Sequence, residues 1–172
     1  MTGARPTGRG DGSRRERDRD AAGRARNARP RDALGRPLAR VPGAAAPPPD
    51  PPPLPPADAL RKAQRLLDDG RPFEAHEVLE AVWKGPDVTA GERELWRGLA
   101  QLAVGLTHLA RGNGKGGRAL LSRAAANLAP YAGTRPHGIA VDKVQAWAQQ
   151  TATSGTSDRP VSTTPRIWQA PR

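Results

Sequence analysis

Six residues at helical spacing carry most of the chemistry that this chain could perform. His76, Glu80 and Trp83 fall at i, i+4 and i+7, one stripe of an α-helix, and Glu77 lies beside them. Further along, Glu94, Gly98, Gln101, Gly105 and His108 share a second stripe. Three kinds of chemistry suit this set. Two carboxylates three residues apart, Glu77 and Glu80, can push one pKa upward and leave a general base beside a histidine. His76, Glu80 and His108 could instead supply a single zinc or iron ion, as facing helices do in bundle metal sites. In the third reading His76, Glu77, Glu80, Trp83, Gln101 and His108 form a polar patch that bonds within itself, fixes helix docking or receives a small ligand.

Several familiar chemistries are missing. Glu80 stands where the second histidine of H-E-x-x-H would be, so the zinc-protease geometry is not present. Paired Glu-x-x-His motifs, a phosphate-binding loop and a cofactor fingerprint are also absent from the sequence. With no cysteine in the chain, disulfides, thiol nucleophiles and cysteine zinc sites drop out together. That composition suits a reducing cytoplasm. No apolar run reaches the roughly 18 residues of a membrane span, and no apolar region follows Arg14–Arg15 as an export signal would require.

The elements that must position these residues follow from periodicity and punctuation. Asp58 is a plausible N-cap for a first helix over ADALRKAQRLLDD, stopped at Gly70. Pro72 suits the first turn of the second, PFEAHEVLEAVWK, which ends at Gly85–Pro86. Thr89 with Glu92 three residues on reads as a capping box for the third, which runs to Gly112–Asn113 and is apolar nearly all round. A fourth helix, GRALLSRAAANLAPY, ends near Pro130; residues 131–140 read as loop; a short last helix starts by Asp142 and docks Trp147. LLDDGRPFEAHEVL and HLARGNGKGGRALL echo one another as helix, turn glycine, helix. The expected fold is all-α: two helix-turn-helix hairpins plus a short C-terminal helix, over residues 57–150. Two glycines in a strong helix cost about 1 kcal/mol each relative to alanine, so Gly98 and Gly105 imply a close neighbour. If that neighbour is the second helix, His76 and Glu80 face Gln101 and His108 across a narrow gap.

The flanks differ in kind. Residues 1–46 form an Arg/Gly-rich basic arm without aromatics, and residues 47–56 hold eight prolines in ten, a polyproline spacer. Residues 151–172 are rich in Ser, Thr and Pro and read as a disordered tail, in which Trp168 stands alone. Residues 1–56 carry twelve arginines against six acids and so supply over half of the net +11. The arm could therefore make weak, nonspecific, salt-sensitive contact with nucleic acid, or meet an acidic protein partner. Without aromatics it has nothing to stack on bases.

GRPFEAHEVLEAVWK followed by ERELWRGLAQLAVGLTHLARGN resembles the Domain of Unknown Function 309 family, across residues 58–130, with residues 138–147 similar to the family's C-terminal end. RARNARPRDALGRPL also looks like a leader found on some members. The resemblance implies an all-helical fold and no established reaction. The leading expectation is a non-enzymatic, cytoplasmic interaction or small-ligand-binding module. The alternatives are a metal-dependent or acid–base enzyme using the same patch, and a nucleic-acid binder acting through the arm.

Overall fold

The computed structural model describes residues 31, 32, 34–36, 38, 54–86, 88–154 and 164–169. Most of the basic arm and of the polyproline run lie outside them. Among the described residues there are five α-helices: α1 Pro56–Asp68, α2 Pro72–Lys84, α3 Arg93–Ala110, α4 Gly114–Leu128 and α5 Val141–Thr153. Each packs mainly on the next, so the chain is two helical hairpins, α1–α2 and α3–α4, with α5 laid against α4. None is long and apolar enough to cross a membrane.

The turn glycines explain why the hairpins form. After α1, Gly70 adopts φ +71. Its N–H bonds the Leu67 carbonyl at 3.1 Å, and the Arg71 N–H bonds Leu66 at 2.8 Å. After α3, Gly112 adopts φ +79, its N–H bonds Leu109 at 2.9 Å, and the Asn113 N–H bonds His108 at 2.9 Å. Both are Schellman turns with a left-handed glycine, which satisfy the carbonyls orphaned at a helix end. The echo in the sequence is thus one turn geometry used twice.

Three helix starts differ from the sequence reading. Pro56 sits in the first turn of α1, two residues before the expected cap, where its missing N–H costs nothing. α4 begins at Gly114 because the Asn113 side chain accepts the Gly116 N–H at 2.9 Å. The Thr89–Glu92 capping box is not made. Residues Ala90–Glu92 form a 3-10 turn ahead of α3, and the Glu92 carboxylate bonds elsewhere.

The core is built from Leu60, Leu79, Leu95, Trp96, Leu99, Leu102, Leu121 and Leu128, all fully buried, and extends to Ile139 and to Val141 and Val144 of α5. Its tightest seam joins α3 to α4. A Cβ on Gly117 would lie 2.6 Å from a Leu109 methyl and 2.9 Å from the Gly105 carbonyl oxygen. One on Gly105 would lie 2.9 Å from Leu121 and 3.2 Å from the Gly117 carbonyl. The glycine stripe of α3 therefore faces α4, and the expected pairing of that stripe with α2 is corrected. Because backbone blocks the added atom at Gly117, Gly117→Ala should lose about 1–3 kcal/mol to overpacking, more than the roughly 1 kcal/mol that alanine gains in a helix. Gly98→Ala meets its neighbours only at 3.1–3.3 Å, so the two effects should nearly cancel. Urea unfolding of both variants measures the difference.

Candidate functional site

The α3–α4 seam decides where the candidate residues go. Gln101 turns toward α4, where its Oε1 accepts the Asn127 amide at 2.9 Å. His108 lies at the end of α3, and its Nδ1 is 2.9 Å from Asn113 Nδ2. Since the Asn113 oxygen already accepts the Gly116 N–H, Asn113 donates to His108, and the neutral ring keeps its proton on Nε2. Neither residue meets His76 or Glu80. The single polar patch resolves into separate pairs.

His76 and Glu80 remain together on α2. His76 Nε2 is 3.8 Å from Glu80 Oε2, and Lys84 Nζ reaches the other carboxylate oxygen at 2.9 Å. The three make a ladder at i, i+4 and i+8. His76 turns inward against α3 near Ala100, the neighbour of Gln101, and beside Phe73, whose ring centroid is 6.4 Å away. Its Nδ1 is buried without a well-formed hydrogen bond. Glu77 is exposed, and Trp83 is half-buried against the core. Among the described residues no three His, Asp or Glu side chains are grouped to hold a metal ion, so His76, Glu80 and His108 do not converge as the zinc or iron reading requires.

Burial holds the His76 pKa below its ordinary 6.5, with Lys84 acting in the same direction; Glu80 and the Ala100 carbonyl oppose them and lose. A histidine with a lowered folded-state pKa binds fewer protons folded than unfolded, between the two pKa values. Its contribution to stability is complete above about pH 6.5 and is lost as pH falls toward the folded value. Melting temperature should therefore drop between neutral and mildly acidic pH, and His76→Gln should flatten that drop. An unchanged pH profile in the variant would contradict the assignment.

Three positions not singled out in the sequence carry the most specific bonding. The first is Gln64, which is 3% exposed on the apolar face of α1. Its Oε1 accepts the Ile167 N–H at 2.8 Å and the Trp168 N–H at 3.2 Å. Its Nε2 donates to the Pro165 carbonyl at 3.3 Å and to Asp68 at 2.9 Å. All four hydrogen-bonding positions of the amide are used, three of them by a non-helical segment from the tail. Residues 164–169, expected to be disordered, are docked on α1, with Ile167 fully buried and Trp168 packed against the core. Burying an isoleucine is worth about 1.5–3 kcal/mol and each bond about 0.5–1.5 kcal/mol. Ordering six residues costs about 1–2 kcal/mol each, which these gains offset in part. The signal in the sequence was a glutamine within the Leu60, Ala63, Leu67 stripe.

The second is Arg111, at the end of α3. Its Nε donates to the Leu34 carbonyl at 2.7 Å, and its NH2 group reaches the same oxygen. Residues 31, 32 and 34–36 of the basic arm make a small turn here. Asp32 Oδ1 accepts the N–H groups of Leu34 at 3.0 Å and Arg36 at 2.7 Å. Gly35, at φ +73, lies against Phe73 where any Cβ would overlap the ring, and the Arg31 guanidinium stands 5.4 Å from that ring's centroid. The signal was the Gly of R-D-A-L-G-R between two prolines.

The third is His137, in the segment read as loop. Its Nε2 is 3.0 Å from Glu92 Oε1, and its ring lies 5.4 Å from the buried Trp96. The residue holds a left-handed backbone, φ 52, which histidine adopts more readily than most residues. The carboxylate of Glu92 thus ties this loop to the start of α3 instead of capping it.

Residues 60–120 match the family model described as Domain of unknown function (DUF309). That stretch of the chain is similar to the DUF309 family. The matched stretch runs from α1 into α4 and includes Gln64, His76, Glu80, Gln101, His108 and Arg111. It stops short of His137 and of α5, and both docked segments lie outside it. No curated protein and no solved structure matches the chain.

Proposed function

We propose that this helical domain is a non-enzymatic interaction module that holds non-helical peptide segments against its helices. One observation carries the reading: at two separate places a helix side chain, Gln64 or Arg111, takes the backbone of a non-helical segment as its hydrogen-bonding partner. Backbone bonds give affinity independent of sequence, and a neighbouring apolar hole or aromatic ring supplies selectivity. Ile167 fills such a hole, and Gly35 lies on the face of Phe73. The pairs Gln101–Asn127 and His108–Asn113 then serve the scaffold by locking α3 to α4. A cysteine-free chain suits this work in the cytoplasm.

Random peptides displayed on phage and selected against the immobilised full chain should yield binders that lose about tenfold in affinity, roughly 1.4 kcal/mol, in Gln64→Ala or Arg111→Ala. Circular dichroism checks that both variants remain helical. Recovering no binders, or only binders indifferent to both replacements, sinks the proposal.

A second reading rests on His76, whose buried Nδ1 lacks a well-formed hydrogen bond while Glu80 stands beside Nε2. This neutral imidazole next to a carboxylate fits general acid–base work on a small substrate. Turnover in a panel of ester and amide substrates, lost in both His76→Gln and Glu80→Gln with helicity intact, would establish it in place of the first.

A further inference from the structure

The segment at α1 is held by a division of labour that defines what else could sit there. Gln64 reads only main-chain atoms: the carbonyl of Pro165 and the N–H groups of Ile167 and Trp168. These three bonds fix the direction and register of a non-helical peptide and are indifferent to its side chains. Discrimination falls to the residues between and beside them. Pro165 is buried, Arg166 points to solvent, Ile167 is fully buried, and Trp168 is partly buried against the core. Burial changes from residue to residue, with Ile167 entering the protein and Arg166 before it leaving. A ligand for this groove therefore needs the pattern proline, any residue, branched aliphatic, aromatic, with no charge at the third position.

Two further observations separate the groove from its present occupant. Gln64 lies within the stretch that matches the family, whereas residues 164–169 lie outside it. The occupant is also tied to α1 through a single side chain, since all three of these backbone bonds are made by Gln64. A resident segment of that kind excludes weak ligands and yields to a better one.

We infer that the α1 groove around Gln64 is a binding site for a non-helical Pro-x-aliphatic-aromatic segment of a partner protein, with residues 164–169 acting as a built-in competitor. The inference rests on the interaction reading above and specifies the ligand of one of its two sites. A fluorescein-labelled peptide with the sequence TTPRIWQA, that of residues 163–170, serves as the probe in anisotropy titrations. The full chain carrying Ile167→Asp, with its own segment disabled, should bind it saturably. The wild-type chain should bind about tenfold more weakly, because its own segment fills the groove most of the time. Adding Gln64→Ala to the Ile167→Asp chain, or replacing the peptide's isoleucine by aspartate, should abolish binding. If Ile167→Asp disturbs the helices, Ile167→Ser disables the segment more gently and takes its place.

No saturation below about 1 mM with a folded Ile167 variant overturns the inference, as does equal binding by wild type. It is also overturned if light scattering shows the wild type to be a dimer that Ile167→Asp makes monomeric, which would assign the groove to a second copy of the chain. Selected peptides that depend on Arg111 alone would leave the interaction reading standing while this site falls.

Discussion

The contact between α3 and α4 sets the terms for everything around it. Gly105 and Gly117 bring the two backbones so close that each glycine's missing side chain is occupied by the other helix. A seam of this kind fixes which face of α3 is inward and which neighbour it meets. Gln101 and His108 lie on the same stripe as the glycines, so they are committed to α4 and its leading turn, where Asn127 and Asn113 answer them. What α3 offers to α2 is the neighbouring face, near Ala100, and His76 packs there against backbone and apolar surface. The separation of the two histidines is therefore a consequence of helix packing and follows from two residues that have no side chains at all.

Much of the fold was legible because local signals and tertiary packing agree. Gly70 and Gly112 end their helices in the same left-handed turn, Pro72 starts the next helix, and the apolar stripes of α1 and α3 face the core. The candidate site was less legible for a definable reason. Periodicity tells which residues share a face of one helix but says nothing about which helix covers that face. Gly98 and Gly105 correctly announced a close neighbour; its identity depended on α4, whose own glycine at 117 read only as the first residue of its helix. Glu92 shows the same limit, since its spacing from Thr89 fits a capping box and only the fold brings His137 within reach. Residues 164–169 have the composition of a solvated tail, and only the polar residue waiting for them on α1 distinguishes them from one.

Charge behaves in this protein as structure as well as field. The excess of arginine in the arm invites a reading in terms of phosphates, yet Arg31 stands over an aromatic ring and its own turn, and Arg111 holds the arm's backbone carbonyl. Guanidinium groups suit this work because a planar fork can bracket one oxygen or lie over one ring. The helical domain thus meets its flanking sequence through groups that read geometry more than sequence, at Arg111 with charge and at Gln64 without it.

The bond between Gln64 and Ile167 joins positions 103 residues apart, and this separation has a consequence for biosynthesis. Neighbouring helices can pair as they emerge, because their contacts are local in sequence. The outer face of α1 cannot be completed at that stage. Until residue 167 has left the ribosome, a glutamine with open valences and an isoleucine-sized hole remain on an otherwise finished hairpin. A chain interrupted anywhere after α5 would then look folded by helix content and still present that unfinished face, giving chaperones and proteases a surface by which to tell it from a finished molecule.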